Sequence, residues 1–398
     1  MNQYFTIFGI QPELSLAELL SVEPNLKNLR FAGSKAVVFE SEAWDSSAMM
    51  ERLGGTVKLG QIVLDTTLNA LDIEQVTKLI SAQSDQNKKI QFGWTVFGTK
   101  QNQKLENFPL KIKKVLKSLG FPSRWVTGEN SQELSPAAVA KCKLTEKPNA
   151  DVCVFVIKDR VLIGFTSNVQ DADAWSLRDY GRPCRDDANG MLPPKLARMM
   201  VNLSQAKDKA VIIDPFCGSG TILMEAGLTV EANKIIGSDI SEKQIEDTKK
   251  NLAWLEEKNI LNAKAISNME VFTADARKIS ETIKPESVDA IVTEGWLGPA
   301  LHGHESPAQI KKNTEQIQAL WADSLKELKK ILKPQGKAVI IVPEFKTASL
   351  ATKVDITRTL QELGFEVIKP AEEWGVSSLS YARPNQFITR HILVLGLK

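Results

Sequence analysis

Four apolar runs in the second half of the chain, AVIID at 210–214, KIIGSDI at 234–240, MEVFTAD at 269–275 and VDAIVTE at 288–294, are separated by stretches with helical spacing, and a fifth, KAVIIVPE, follows at 337–344. Strands that are apolar on both faces need cover on both faces, and a helix after each strand supplies it. The rhythm therefore predicts a doubly wound, mostly parallel α/β sheet from about 208 to 398. Ligands of such sheets bind outside the carboxyl ends of the strands, and here those ends carry Asp214, Asp239, Asp275 and Glu294.

The first strand end leads into Asp214-Pro215-Phe216-Cys217-Gly218-Ser219-Gly220-Thr221 and then directly into a helical pattern at 221–230. Two glycines permit a sharp turn and a close approach of backbone to ligand, and the helix beyond offers unpaired N–H groups and positive partial charge. A carboxylate such as that of methionine suits the place. The dinucleotide pattern G-x-G-x-x-G and the triphosphate pattern G-x-x-x-x-G-K-S/T do not occur at this bend. Asp239, twenty-five residues after Asp214, with Ile240 beside it, is placed as an acceptor for ribose hydroxyls. Asp275 and Ala276 are candidates to meet the amine and ring of an adenine. Taken singly, each aspartate reads equally well as a helix cap or turn former.

The 398 residues exceed what one core usually serves, so two or three domains are expected. Residues 1 to about 65 alternate strand-like runs (YFTIFGI, AVVFE, GGTVKLGQIVL) with helical ones (SLAELLSV, WDSSAMMERL), a small α+β unit whose first helix is expected to start at Ser15, with Glu18 completing a capping box. From about 70 to 165 follow a helix (LDIEQVTKLISAQ), a strand (IQFGWTVFG), a basic helix ending at Gly120, an extended piece (SRWVTG) and a strand pair turning at Lys158, Asp159 and Arg160. A helix is expected to start at Pro193 or Pro194, and FEVIKPAEEW with FITRHILVLGL predicts a final hairpin.

Net charge is +2, which argues against indiscriminate coating of nucleic acid. Yet ten Lys or Arg face only four Asp or Glu between Lys100 and Lys147. Lys111, Lys113, Lys114, Lys117 and Arg124 are thus candidate RNA-phosphate contacts, or else a solvated basic face. No apolar run reaches the roughly 18 residues of a membrane span, and the first residues lack a leader pattern, so a cytoplasmic protein with no membrane association is expected. The four cysteines form no CxxC pair, and His302 and His304 lack a third ligand, so neither disulfides nor a metal are expected.

The chain resembles the class I methyltransferases and, more narrowly, the THUMP-domain tRNA guanine N2-methyltransferases. The resemblance rests on DPFCGSGTILMEA at 214–226, RPCRDDANGMLPPKLARMMVNL at 182–203 and LKPQGKAVIIV at 332–342, and more weakly on GIQPELSLAEL at 9–19 and NADVCVFVIKDRVLIG at 149–164. It implies S-adenosyl-L-methionine as cofactor, tRNA as partner, and N2-methylation of a guanosine at or near position 10. It also implies a ferredoxin-like α+β domain at 1–68, a THUMP RNA-binding domain at 69–166, a linker and helix at 167–207, and a Rossmann-like methyltransferase domain with a mostly parallel seven-stranded sheet at 208–398. Arg182, Asp186, Asp187 and Lys195 are expected either to shape the lid of the cofactor pocket or to form a charged linker.

The fourth strand end departs from the family, whose members carry Asp or Asn, Pro, Pro and an aromatic to hold the target base. Here Glu294-Gly295-Trp296-Leu297-Gly298-Pro299 keeps a carboxylate and a stacking face, loses both prolines and brings the aromatic one place earlier. Glu294 and Trp296 are the expected catalytic pair. Two other readings stay open: an RNA- and cofactor-binding homologue that no longer transfers a methyl group, and an N6-adenine methyltransferase acting on nucleic acid.

Overall fold

The computed structural model describes residues 2–82, 84, 88–98, 103–128, 133–185, 191–347, 351–383 and 386–398. Contacts divide the chain into two units, one formed by residues up to Pro12 and Glu23–Ala174, the other by Glu13–Val22 and Trp175–Lys398.

The first unit is built on eight strands: β1 (Asn2–Phe8), β2 (Lys27–Ala32), β3 (Ala36–Ser41), β4 (Thr56–Thr67), β5 (Ile90–Gly98), β6 (Ser123–Trp125), β7 (Ala150–Ile157) and β8 (Arg160–Val169). They form one sheet in the order β2-β3-β1-β4-β8-β7-β5-β6. Long β4 pairs with β1 on one side and β8 on the other, so residues 1–68 and 69–166 contribute to one continuous sheet. β2, with the largely polar sequence KNLRFA, has no apolar run to announce it. The β7–β8 turn is shorter than expected: Ile157 pairs with Arg160, leaving only Lys158 and Asp159 in the turn, with Lys158 at φ 56°. The basic helix Phe108–Ser118 is amphipathic, burying Phe108, Ile112 and Leu116 at four-residue spacing and exposing Lys111, Lys113, Lys114 and Lys117. Arg124, on edge strand β6, is exposed as well. Lys100 of the same basic stretch lies outside the described residues.

A charge pair sits inside this sheet. Lys58 on β4 and Asp151 on β7 are both fully buried with Nζ to Oδ2 at 2.9 Å, and Thr166 of the intervening β8 donates to the same oxygen at 2.7 Å. Burial works against the Lys58 charge, but the Asp151 carboxylate outweighs it and holds the ammonium above its ordinary value. Removing either partner alone would leave a buried charge uncompensated, at a cost of about 3–5 kcal/mol. Asp151→Ala is expected to lower protection of the β7 and β8 amides in hydrogen exchange, whereas Lys58→Met combined with Asp151→Leu is expected to recover most of it.

The second unit contains β9 (Val211–Asp214), β10 (Lys234–Asp239), β11 (Met269–Thr273), β12 (Val288–Thr293), β13 (Leu332–Lys346), β14 (Ala351–Lys353), β15 (Phe365–Ile368), β16 (Leu379–Tyr381) and β17 (Ile388–Leu397). Seven of them run in the order β11-β10-β9-β12-β13-β17-β15, with β14 added to β13 and β16 to β17. The first five on that path are parallel, and β17 is antiparallel to both β13 and β15. β15 and β17 do pair antiparallel, but a 3-10 turn, Glu372–Trp374, and β16 lie between them, so the end of the chain is not a tight hairpin. The chain adds β10 and β11 on one side of β9 and then returns to place β12 on the other. This reversal creates the crevice between β9 and β12 in which ligands of doubly wound sheets bind.

Helices cover the sheet. Ser306 and Gln309 form a capping box for the long helix Pro307–Ile331, whose Ile317, Trp321, Leu325 and Leu328 pack on Ile213, Ile291 and Ile340 of the strands. The helix Pro12–Val22 begins three residues before the expected start at Ser15, with proline in its first turn. Ser15 and Glu18 are interior and buried, and Glu18 accepts from Asn202 Nδ2 at 2.7 Å rather than capping. The stretch 167–207 carries the helices Ala172–Tyr180 and Pro194–Leu203, the second beginning directly after Pro193.

Candidate active site

The bend after β9 requires left-handed backbone at two places, Gly218 (φ 51°) and Gly220 (φ 88°). A Cβ at 218 would meet nothing within 4 Å, so there the backbone angle alone calls for glycine. A Cβ at 220 would also lie 2.8 Å from Thr248 Cγ2. The helix Glu242–Glu257, which follows β10, supports the bend from behind. Thr248 Oγ1 donates to the Gly218 carbonyl at 2.6 Å, and Asn251 Nδ2 donates to the Ser219 carbonyl at 2.8 Å. Asn251 also exchanges hydrogen bonds with the backbone of Cys184 at 2.9 Å in each direction. Arg182 Nη1 donates to Thr221 Oγ1 at 2.6 Å.

The helix opened by the bend is anchored a turn further on. Buried Glu225 meets Arg178 at 2.7 Å and Arg198 at 2.6 Å, and both guanidinium groups lie over the Trp175 ring, at 4.3 and 4.7 Å from its centroid. Lys195 stands over the same ring at 5.7 Å; burial, and then the charge of Arg178, push its ammonium below the ordinary value. Arg182 and Lys195 thus belong to the packing beside the bend and not to the cavity lining. Asp186 and Asp187 lie outside the described residues.

Asp214 to Ser219, Thr221, Asp239, Ile240, Asp275, Ala276, Glu294 and Trp296 line one cavity of about 460 Å³; of the residues expected at the strand ends and the bend, Gly220 does not. Asp239 accepts from the Gly218 amide at 3.1 Å and from the Ser241 amide at 2.9 Å. Ile240 (67% exposed) and Trp296 (43% exposed) present large apolar surfaces into the crevice. Asp275 caps the 3-10 helix Ala276–Glu281. Its carboxylate is held on both oxygens by the Arg277 guanidinium at 2.6–3.0 Å, a bond that keeps it below the usual carboxylate range.

Glu294, the first residue after β12, is half-buried near Asp214 and paired with Arg390 of β17 at 2.5 Å. Burial pushes its carboxyl above the ordinary value, and Arg390 draws it back. The loop beyond it turns through Gly295 (φ 67°) and Gly298 (φ 92°), where proline's fixed φ of about −65° is excluded. A Cβ at 295 would lie 2.6 Å from Trp321. Thr248, Asn251 and Arg390 are site residues that the sequence reading did not name. Only Arg390 leaves a trace there, as a charge inside the apolar run ITRHILVLGL. Glu305 caps the loop amides of His302 and Gly303, and no group of three or more metal-binding side chains occurs among the described residues. Among the same residues no helix is long and apolar enough to cross a membrane.

A solved structure titled as that of TrmN from Thermus thermophilus matches along the full length of both chains with a TM-score of 0.53 at 17% identity, a likeness of fold alone. A family model described as an RMKL-like methyltransferase domain matches residues 182–362, and one described as DNA methylase matches 82–250. The "tRNA (guanine(10)-N2)-dimethyltransferase" of Methanocaldococcus jannaschii is 37% identical over 167 residues, 40% of this chain and 43% of that protein. The "Probable tRNA (guanine(10)-N2)-dimethyltransferase" of Methanothermococcus thermolithotrophicus is 33% identical over 133 residues, 33% of this chain and 74% of that protein. The chain spans less than half the length of the M. jannaschii protein, and 28% and 31% of its counterparts from Methanothermobacter thermautotrophicus and Pyrococcus abyssi.

Sheet order and crevice are those of the class I methyltransferases, enzymes that draw on S-adenosylmethionine. Within that class the chain belongs to the THUMP-type tRNA guanine N2-methyltransferase family.

Burial, opposed by the neighbouring Thr293 hydroxyl and by the bond from the Phe216 amide, pushes the Asp214 carboxyl from 3.8 up to about 7. The native state therefore holds this proton at pH values where the unfolded chain has lost it. The group's contribution to stability is fully present below its unfolded value and is lost as pH rises toward about 7, with a slope of at most about 1.4 kcal/mol per pH unit. Asp214→Asn is expected to flatten the fall in urea midpoint that the parent shows across that window.

Proposed function

We propose that this chain methylates the exocyclic amine of a guanosine in tRNA, at or near position 10, with S-adenosylmethionine as donor. The observation that carries the reading is the meeting of the glycine bend, Asp239, Glu294 and Trp296 around one cavity. Its volume falls in the roughly 300–1,000 Å³ range of small-molecule sites. The residues fit the donor: the bend offers a helix N-terminus for its carboxylate, Asp239 an acceptor for ribose hydroxyls, and exposed Ile240 an apolar face for adenine. Asp275 would meet the adenine amine only if Arg277 yields an oxygen.

When bound, the cofactor supplies an electrophilic methyl on sulfur, and the C–S electrons return to sulfur as the bond to nitrogen forms. The chain's own residues do the rest. A guanine amine is a weak nucleophile because its lone pair is delocalised into the ring, and an acceptor close to it restores that lone pair and takes the proton it sheds. Glu294 is that acceptor, and it passes the proton to water. Trp296 stacks on a base that has left its helix, as chemistry on a base requires. The basic helix Phe108–Ser118 and Arg124 are the phosphate contacts, since double-helical RNA is gripped by shape and backbone. On this reading the chain is a cytoplasmic enzyme with ferredoxin-like (1–68) and THUMP (69–166) parts for RNA and a catalytic domain at 208–398, entered through 167–207. The relatives' names support position 10 and the tRNA substrate.

Incubation of the full chain with the donor and an unmodified tRNA transcript, followed by mass spectrometry of the nucleosides, is expected to yield N2-methylguanosine. N6-methyladenosine would overturn the base assignment, and no methylated nucleoside would leave a homologue that binds without transfer. Glu294→Ala is expected to lower kcat by about 10²–10⁴-fold with donor affinity retained. Trp296→Ala is expected to weaken RNA binding by about 1–3 kcal/mol.

A further inference from the structure

Arg390 comes from β17, two strands away from β12 in the sheet, with β13 between them. Its side chain is 5% exposed and that of Glu294 15%, so the guanidinium lies behind the carboxylate, on the side away from the cavity. Arg390 does not line the cavity; only its carboxylate partner does. A guanidinium inside an apolar strand is costly to bury unless it is paired, and the partner here is the acid that faces the base.

We infer that Arg390 is a positioning residue that keeps Glu294 an acceptor-only carboxylate turned toward the base, and that this sets guanine over adenine. The inference rests on the methyl transfer proposed above. An ionised carboxylate can only accept hydrogen bonds. Guanine meets it with two adjacent donors, N1–H and N2–H. Adenine meets it with one donor, N6–H, beside the N1 lone pair, which a carboxylate repels. A neutral carboxyl, with one O–H and one C=O, matches the adenine edge instead, so the protonation state of Glu294 decides which flipped base is held. Burial favours the neutral form, and Arg390, by its charge and its hydrogen bond, opposes it; Asp214 on β9, itself shifted by the Glu294 charge, is the neighbouring acid.

The test uses the full chain, unmodified tRNA and the methyl donor, with both methylated nucleosides quantified from about pH 6 to about pH 9. Arg390→Met is expected to lower kcat for guanosine by about tenfold or more with the KM for tRNA within about twofold, and to move the acid limb of the kcat profile up by about one pH unit. Arg390→Lys, which keeps the charge, is expected to return the limb toward the parent position. Glu294→Gln carries an amide with the donor and acceptor pattern of the neutral acid, so it is expected to lower the guanosine-to-adenosine product ratio at every pH and to make Arg390→Met without further effect. A parent that transfers no methyl group overturns both the function and this inference. An active parent whose Arg390→Met variant keeps the same limb and kcat overturns the inference alone. Should Arg390→Met fail to fold, Glu294→Gln with an unchanged product ratio overturns it equally.

Discussion

The crevice depends on a backbone that turns left-handed twice within three residues. β9 ends at buried Asp214, and the chain must double back into a helix before β10 can lie beside it; positive φ at Gly218 and Gly220 achieves this, and the helix Glu242–Glu257 holds the result by binding the carbonyls of Gly218 and Ser219 through Thr248 and Asn251. Those carbonyls precede the helix and need partners from outside it. Asn251 also grips Cys184, so the segment 182–185 is bound to the same side chain that holds the bend. The Arg178–Glu225–Arg198 cluster carries the lock into the next helical turn. Two segments distant in sequence, 175–203 and 242–257, thus converge on one loop.

What was legible beforehand follows from this division between local and distant causes. The parallel strands could be read because each is apolar on both faces, and Asp214, Asp239 and Glu294 could be placed because strand ends in such a sheet converge. Ser15 and Glu18 have the spacing of a capping box, yet the first helix starts at Pro12; their burial within the helix and the Glu18 bond to Asn202 are set by tertiary packing. Asp275 looked like a ligand acceptor, whereas Arg277, two residues on, occupies its oxygens, a contact that spacing alone does not reveal. Thr248 and Asn251 sit among ordinary helix residues, and their role exists only once that helix lies against the bend.

The departure at the fourth strand end becomes one coordinated change. Gly295 and Gly298 adopt φ of 67° and 92°, which no proline can reach, and the space a side chain at 295 would take is filled by Trp321 of the helix Pro307–Ile331. Trp321 also packs against Phe216 of the bend, with ring centroids 5.8 Å apart. The loop therefore bends tightly over a buried tryptophan, and Trp296 lines the cavity together with Gly295, Leu297 and Gly298. At 295 the backbone angle and the Trp321 ring thus both exclude proline, and Trp296 takes the place of the family's second proline.

Charge completes the account of the crevice. Asp214, Asp239 and Glu294 converge on it, and Arg390 pairs with Glu294 from behind the wall. Two like charges and full burial make ionisation of Asp214 costly, so near neutral pH its proton is held loosely by the native state. A cationic ligand entering the cavity would favour release of that proton, and the proton would in turn oppose the ligand. By reciprocity, occupancy by a cation and ionisation of Asp214 strengthen each other. Asp239 and Glu294 thus couple the charge of whatever enters the crevice to the proton held at Asp214, the first residue of the bend.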